Sequence, residues 1–141
     1  MSEAAPITGG CLCGAVRYAI AAPPLAVRTS WRRYCQYIAS GSGTVNATFL
    51  AEAVTIEGAT SDFRSIADSG AVMHRRFCPA CGAHLFSTAE ARPRVIVVRA
   101  GTMDDPEQAP PTVTIWAGRA PSWACIDEDA PKVDGPSPPI A

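Results

Sequence analysis

The chain has 141 residues, 48% hydrophobic and 18% charged, which suits one folded domain and excludes an intrinsically disordered chain. No run approaches the roughly 18 apolar residues of a membrane span, and the opening MSEAAPITGG has neither the basic nor the apolar segment of an export signal, so a cytoplasmic protein is expected. The formal net charge of −1 divides unevenly, with ten arginines against six acids in residues 1–100 and two basic residues against seven acids in 101–141; this is not the positive field of a nucleic-acid binder, and neither nucleic acid nor a membrane is an expected partner.

The first element follows GGCLCG: Val16, Tyr18 and Ile20 alternate with polar or small neighbours, as on a strand with one buried face. A short helical stretch is expected around Arg32–Ala39. Strand-like runs then recur at 44–50, 53–58, 62–66, 73–78, 84–87, 94–101 and 112–118, broken by Gly and Pro. Many short strands with almost no 3.6-residue periodicity predict a mainly β domain of small antiparallel sheets. The segment 102–111, TMDDPEQAPP, reads as an acidic surface loop. The domain is expected to end near residue 129, leaving a Pro-rich tail over 130–141 that is extended and poorly ordered.

Six cysteines, at 11, 13, 35, 78, 81 and 125, stand in a chain expected to be reduced, which favours metal binding or reactive thiols over disulfides. Cys11-x-Cys13 and Cys78-x-x-Cys81 supply four thiolates, the set that a closed tetrahedral zinc site takes. Gly14 and Gly82 follow the two pairs and permit the tight turns that aim sulfurs at one ion. With residues 14–77 between the pairs, the metal would close a long loop, and its binding would be partly folding free energy. The alternative is four unpaired buried cysteines. Arg75 and Arg76 are placed to offset the negative charge of such a centre. Eleven of the twelve basic residues are Arg, which suits recognition of a small anion but is equally a trait of an Arg-favouring genome.

Four motifs, GGCLCGAVRY, CQYIASGSG, RRFCPACGAHLF and VRAGTMDDP, make residues 8–125 resemble the glutathione-dependent formaldehyde-activating enzyme family, which includes the centromere protein V type domains. The resemblance implies antiparallel sheets folded over each other around a structural zinc held by Cys11, Cys13, Cys78 and Cys81. It also implies carbon–sulfur lyase chemistry on S-hydroxymethylglutathione or a related thiol–aldehyde adduct. The family's second, catalytic zinc is held by a Cys-x-Cys-x-x-Cys triplet. Here that triplet reads SWRRYC, leaving Ser30, Arg32 and Cys35 at its positions. A guanidinium has no lone pair to donate and a hydroxyl is a poor zinc ligand at neutral pH, so one structural zinc and no tight second ion are expected.

Two functions therefore stand side by side. One is a lyase acting on a small thiol or anionic substrate such as a glutathione adduct, with Cys35 as the remaining catalytic sulfur. The other is a non-catalytic one-zinc β domain that binds a small anion or a protein partner. Arg32 and Arg33 could favour a Cys35 thiolate; the alternative is a leftover ligand serving as a small buried hydrophobe. Arg28, Arg33 and Arg64 are candidate carboxylate partners. His84 could approach the second pocket or be a structural histidine. Trp31, Trp116 and Trp123 could line a pocket or pack the core, Asp104 and Asp105 read as a solvated turn, and Cys125 reads as core.

Overall fold

A computed structural model of the chain describes residues 6–136. Ten strands appear in order: β1 Ile7–Gly10, β2 Arg17–Ile20, β3 Ala26–Ser30, β4 Thr44–Leu50, β5 Val54–Glu57, β6 Ser61–Ile66, β7 Val72–Phe77, β8 His84–Ala89, β9 Val95–Arg99 and β10 Val113–Ile115. The helix expected around 32–39 is present as α1, Arg33–Ile38. Among the described residues no helix is long and apolar enough to cross a membrane.

The strands form a three-stranded sheet, β1-β2-β5, and a seven-stranded sheet, β10-β3-β4-β9-β8-β7-β6. The mainly β expectation holds, with two differences of detail. The larger sheet is not small, and β10 joins β3 in parallel at its edge (Val113 opposite Arg28, Ile115 opposite Ser30). Two strands carry no period-two signal and were not anticipated. β1 is ITGG, with one large apolar side chain, and β3 is AVRTS, whose charged Arg28 breaks an apolar reading.

The alternation in β2 buries Val16, Tyr18 and Ile20 almost completely. They meet Ala47 and Phe49 of β4, Phe86 of β8, and Ile96 and Val98 of β9 in one core between the two sheets. The Tyr18 and Phe86 rings sit edge to face with centroids 5.5 Å apart, the arrangement that ring quadrupoles favour. The acidic loop is less solvated than its composition suggests. Met103 bridges to Gly9, Ala109 is buried, and Asp104 accepts from Thr8 Oγ1 (2.7 Å) and from both Nη atoms of Arg17. Those donors, Arg17 first, hold the Asp104 carboxyl down at about 2. Asp105 caps the turn that follows by accepting from the Glu107 N–H.

The tail also departs from expectation. Thr114 N–H donates to the Pro131 carbonyl, Val133 N–H to Thr114, Trp116 N–H to Gly135 and Ala117 N–H to Val133, each at 2.9 Å. Residues 131–135 therefore pair alongside β10, because that short edge strand would otherwise leave these backbone groups unbonded. The last tail residues, 137–141, lie outside the described ones.

At the opposite edge, His74 on β7 is held between two carboxylates: Nδ1 lies 2.6 Å from Asp62 on β6, and Nε2 lies 2.7 Å from Glu90 just after β8. Glu90 first, then Asp62, raises the His74 pKa above its ordinary 6.5. A raised folded-state value means that the clamp's stabilisation is complete below the unfolded pKa and is lost as pH rises through the folded one. Thermal melts across pH 5–9 should therefore show wild type losing stability relative to His74→Gln above about pH 6.5, the two profiles converging as pH rises. Parallel profiles would refute the clamp.

Candidate functional site

The turn between β1 and β2 carries Cys11 and Cys13, and the turn between β7 and β8 carries Cys78 and Cys81. The fold brings the two turns together. The four Sγ atoms all lie within 4.8 Å of one another, with Cys11 to Cys13 at 3.6 Å and Cys13 to Cys78 at 3.7 Å. Sulfurs bound at about 2.3 Å around a tetrahedral zinc stand about 3.8 Å apart, so the spacing fits. Gly14 and Gly82 adopt φ of 84° and 77°, the left-handed conformation that lets each turn double back. Gly82 N–H donates to the Cys78 carbonyl, and Cys78 N–H to Ala83.

Backbone N–H groups also point at the sulfurs: Val16 to Cys11 at 3.2 Å, and Ala80 and Cys81 to Cys78 at 3.3 and 3.4 Å. Such donors favour thiolate. The Ala83 and Cys13 N–H groups lower the Cys81 pKa. The Ala15 N–H acts in the same sense on Cys13, but the adjacent Cys11 and Cys78 sulfurs outweigh it and raise that thiol. Four crowded thiols resist full ionisation unless a cation neutralises them, so the donor set, spacing and electrostatics all suit a metal ion. The shell would be closed by protein, with no open position for a substrate. Among the described residues this is the one cluster of three or more His, Cys, Asp or Glu side chains able to hold an ion.

Ser30, at the end of β3, and Cys35, in α1, come together elsewhere. Cys35 Sγ lies 3.5 Å from Ser30 Oγ, and both residues are buried, Cys35 at 6% exposure. Arg32 does not join them through its side chain. Its backbone N–H lies 3.4 Å from Ser30 Oγ, while its guanidinium sits over the Trp116 ring, 5.3 Å from the centroid.

Beside this point the outer face of the seven-stranded sheet encloses a cavity of about 760 Å³. Its floor comes from alternate residues, Arg28, Thr48, Val97, Ser87, Arg75 and Ser65, contributed by six strands. The intervening residues Ala47, Phe49, Ile96 and Val98 face the core. Arg32, Arg33 and Tyr34 of the α1 region, together with Trp116 and Arg119, form its walls. Trp116 holds a left-handed backbone, φ 55°, a conformation costing about 1 kcal/mol or more for a bulky residue and concentrated at functional sites. Arg75 donates to Ser65 Oγ at 2.6 Å and stacks on Tyr34 with Cζ 3.8 Å from the ring centroid.

Several sequence expectations change. Arg28 and Arg33 do line the cavity, while Arg64 is absent from its lining. Arg75 does not attend the cysteine cluster; strand alternation turns it onto the cavity face, where Tyr34 and Ser65 engage it. Of the tryptophans, Trp116 lines the cavity, Trp31 is buried and Trp123 is 70% exposed. Cys125 is exposed rather than core, because its SWACID segment lies outside the sheets. His84 packs against Phe77 (5.6 Å between centroids), and burial, with Arg99 and Arg75 nearby, lowers its pKa. Arg119, missed by sequence reasoning, carried no motif and only the excess of Arg over Lys hinted at it; Arg75 stood in RRFCPACGAHLF but was assigned to the cysteine cluster.

Residues 6–119 match a protein-family model described as glutathione-dependent formaldehyde-activating enzyme. No curated protein matches the chain. Among solved structures, the crystal structure of a Rhodobacter sphaeroides protein is similar with a TM-score of 0.55 and 18% identity, over 69% of this chain and 87% of that one. At that identity the likeness concerns the fold alone.

Proposed function

The chain belongs to the glutathione-dependent formaldehyde-activating enzyme family, and from that premise we propose that it is a one-zinc member whose cavity binds a small organic anion, of the kind formed by thiol–aldehyde adducts of glutathione, without a catalytic metal. The observation that carries this reading is the state of the triplet. Ser30 and Cys35 offer one hydroxyl and one sulfur, 3.5 Å apart, and the third position places a guanidinium over Trp116. A zinc held at Cys11, Cys13, Cys78 and Cys81 supplies folding free energy, with no vacant coordination position.

The remaining work falls to the chain's own side chains. Arg28, Arg32 and Arg33 at the cavity supply flat two-pronged donors for carboxylates, and Val95, Val97 and Met73 supply apolar wall for a carbon chain. A small anion is favoured over nucleic acid because these cations line a concave cavity rather than a stripe along the surface.

Metal analysis of purified protein tests the reading, with one zinc per chain expected. Two ions per chain, or a zinc-dependent lyase rate on S-hydroxymethylglutathione, would overturn it. The double variant Ser30→Cys/Arg32→Cys should raise the count to two, since it returns three sulfurs to one locus. A count unchanged at one would mean that the triplet is not the second metal position.

A further inference from the structure

The polar side chains buried in this protein are concentrated on one surface. Ser30, Thr44, Thr48, Arg75, Ser87 and Arg99 are each less than a tenth exposed, and all lie on the outer face of the seven-stranded sheet; Thr48, Arg75 and Ser87 line the cavity there, and Arg99 lies beyond its lining. Strand register places them. Arg28, Asn46 and Arg99 stand side by side across β3, β4 and β9. One step along, Thr48, Val97, Ser87 and Arg75 stand side by side across β4, β9, β8 and β7.

Two of these side chains are cations, and neither has an anionic partner. Arg75 is 5% exposed and Arg99 8% exposed. Arg75 is engaged by Ser65 and the Tyr34 ring, and Arg99 donates one Nη to Asn46 Oδ1 while its buried Nε finds no protein acceptor. Among the described residues no carboxylate pairs with either one; carboxylates there pair instead as Arg17–Asp104, His74–Asp62, His74–Glu90 and Arg119–Asp68. Burial lowers the pKa of both guanidiniums; Tyr34, Arg32 and Cys35 act further on Arg75, and Cys35, Arg75, Tyr34 and Arg32 on Arg99. The buried Trp116 Nε1, in the cavity wall, also lacks an acceptor. Buried charges are normally compensated by an opposite charge or a metal, and among the described residues no carboxylate does so.

We propose that Arg75, on the cavity floor, binds the head group of a small oxyanion, a carboxylate or a phosphate, and that Arg99, held by Asn46 beyond the cavity lining, adds its positive charge to the site. The inference rests on the anion-binding reading above and adds to it where the charged head sits and what holds it. Planar guanidiniums suit two-oxygen heads. Arg28, next in register to Asn46, and Arg33 and Arg119 in the cavity walls are left to meet the rest of the molecule.

An uncompensated buried cation costs stability in the ligand-free protein and contributes affinity once an anion is bound. The variants Arg75→Met and Arg99→Met keep much of the side-chain volume and remove the charge. Each is expected to melt about 3 °C or more above wild type without ligand and to bind about tenfold more weakly or worse. Thermal shift and calorimetric titration of the full chain with inorganic phosphate, succinate and glutathione, each at constant ionic strength, read both effects. Saturable stabilisation by phosphate identifies a phosphate head, and stabilisation by succinate or glutathione but not phosphate identifies a carboxylate head.

If wild type responds to none of the three, the anion-binding reading falls and this inference falls with it. If wild type binds and both variants bind equally well, the site is misplaced while the broader reading stands. Variants that melt well below wild type, or fail to fold, would show Arg75 and Arg99 to be structural, and would overturn the inference.

Discussion

Replacing Cys78 by serine is expected to give a chain that holds no metal tightly and has no cooperative unfolding transition at room temperature. Cys78 is fully buried; its sulfur accepts two backbone N–H groups and lies 3.7 Å from Cys13. The cluster joins the β1–β2 turn of the smaller sheet to the β7–β8 turn of the larger one, so it fastens the two layers at one end of the core. Structural zinc contributes about 10–16 kcal/mol in small metal-stabilised domains, whereas a whole domain has a net stability of about 5–15 kcal/mol. Loss of the centre is therefore comparable to the whole net stability of a domain, enough to unfold the chain. Metal content and far-ultraviolet circular dichroism check this, with Cys125→Ser as the control. Cys125 is exposed and outside the cluster, so its variant should keep both its metal and its melting point. A Cys78→Ser protein that melts like wild type would show that the sheets hold together without the ion.

Gly9→Val is expected to destabilise the protein by about 3 kcal/mol or more, at or beyond the upper end for an overpacked core position. Gly9 pairs with Tyr18 in the smaller sheet. A Cβ added there would lie 2.3 Å from Tyr18 Oη and 2.4 Å from the backbone carbonyl of Thr102. The ring could swing aside only by leaving its edge-to-face contact with Phe86 and its 2.8 Å hydrogen bond to Thr102 Oγ1. The carbonyl belongs to the turn that delivers Asp104 to Arg17 and Thr8, so it has little room to give. Chemical denaturation of wild type and variant measures the difference; a loss under 1 kcal/mol would show that the loop after β9 is free to retreat. Gly10 is no substitute control, since a Cβ there would lie 2.3 Å from the Val16 carbonyl. Gly101, where a Cβ meets nothing, should accept alanine with little change.

The two predictions expose different kinds of legibility. The cysteine cluster was readable in advance because metal coordination needs particular atoms at particular spacings, and CLCG and CPACG state both locally. The strands at 44–50 and around Val16–Ile20 were readable because alternating side chains record which face is buried. Gly9 carried no comparable sign. Its requirement arises from Tyr18 across the hairpin and Thr102 far away in the chain, and the strand that contains it has too few apolar side chains to show a period. Cys125 misled for the converse reason: a cysteine in an apolar setting reads as core, but its segment lies outside both sheets. The tail misled because its Pro-rich composition discourages regular structure, while the free edge of β10 offered it backbone partners.

The sequence by itself determined which four cysteines could hold a metal, the mainly β class and the family, since each depends on residue identity or short-range spacing. The family resemblance also implies that Ser30 and Arg32 stand where a second metal would take sulfur ligands. Only the tertiary structure decided that Arg28, Arg75 and Arg99, drawn from three strands, share one sheet face, and that among the described residues no carboxylate accompanies the buried pair. Charge compensation is a property of neighbours in space, and strand order across a sheet assembles those neighbours from distant stretches that no local pattern connects.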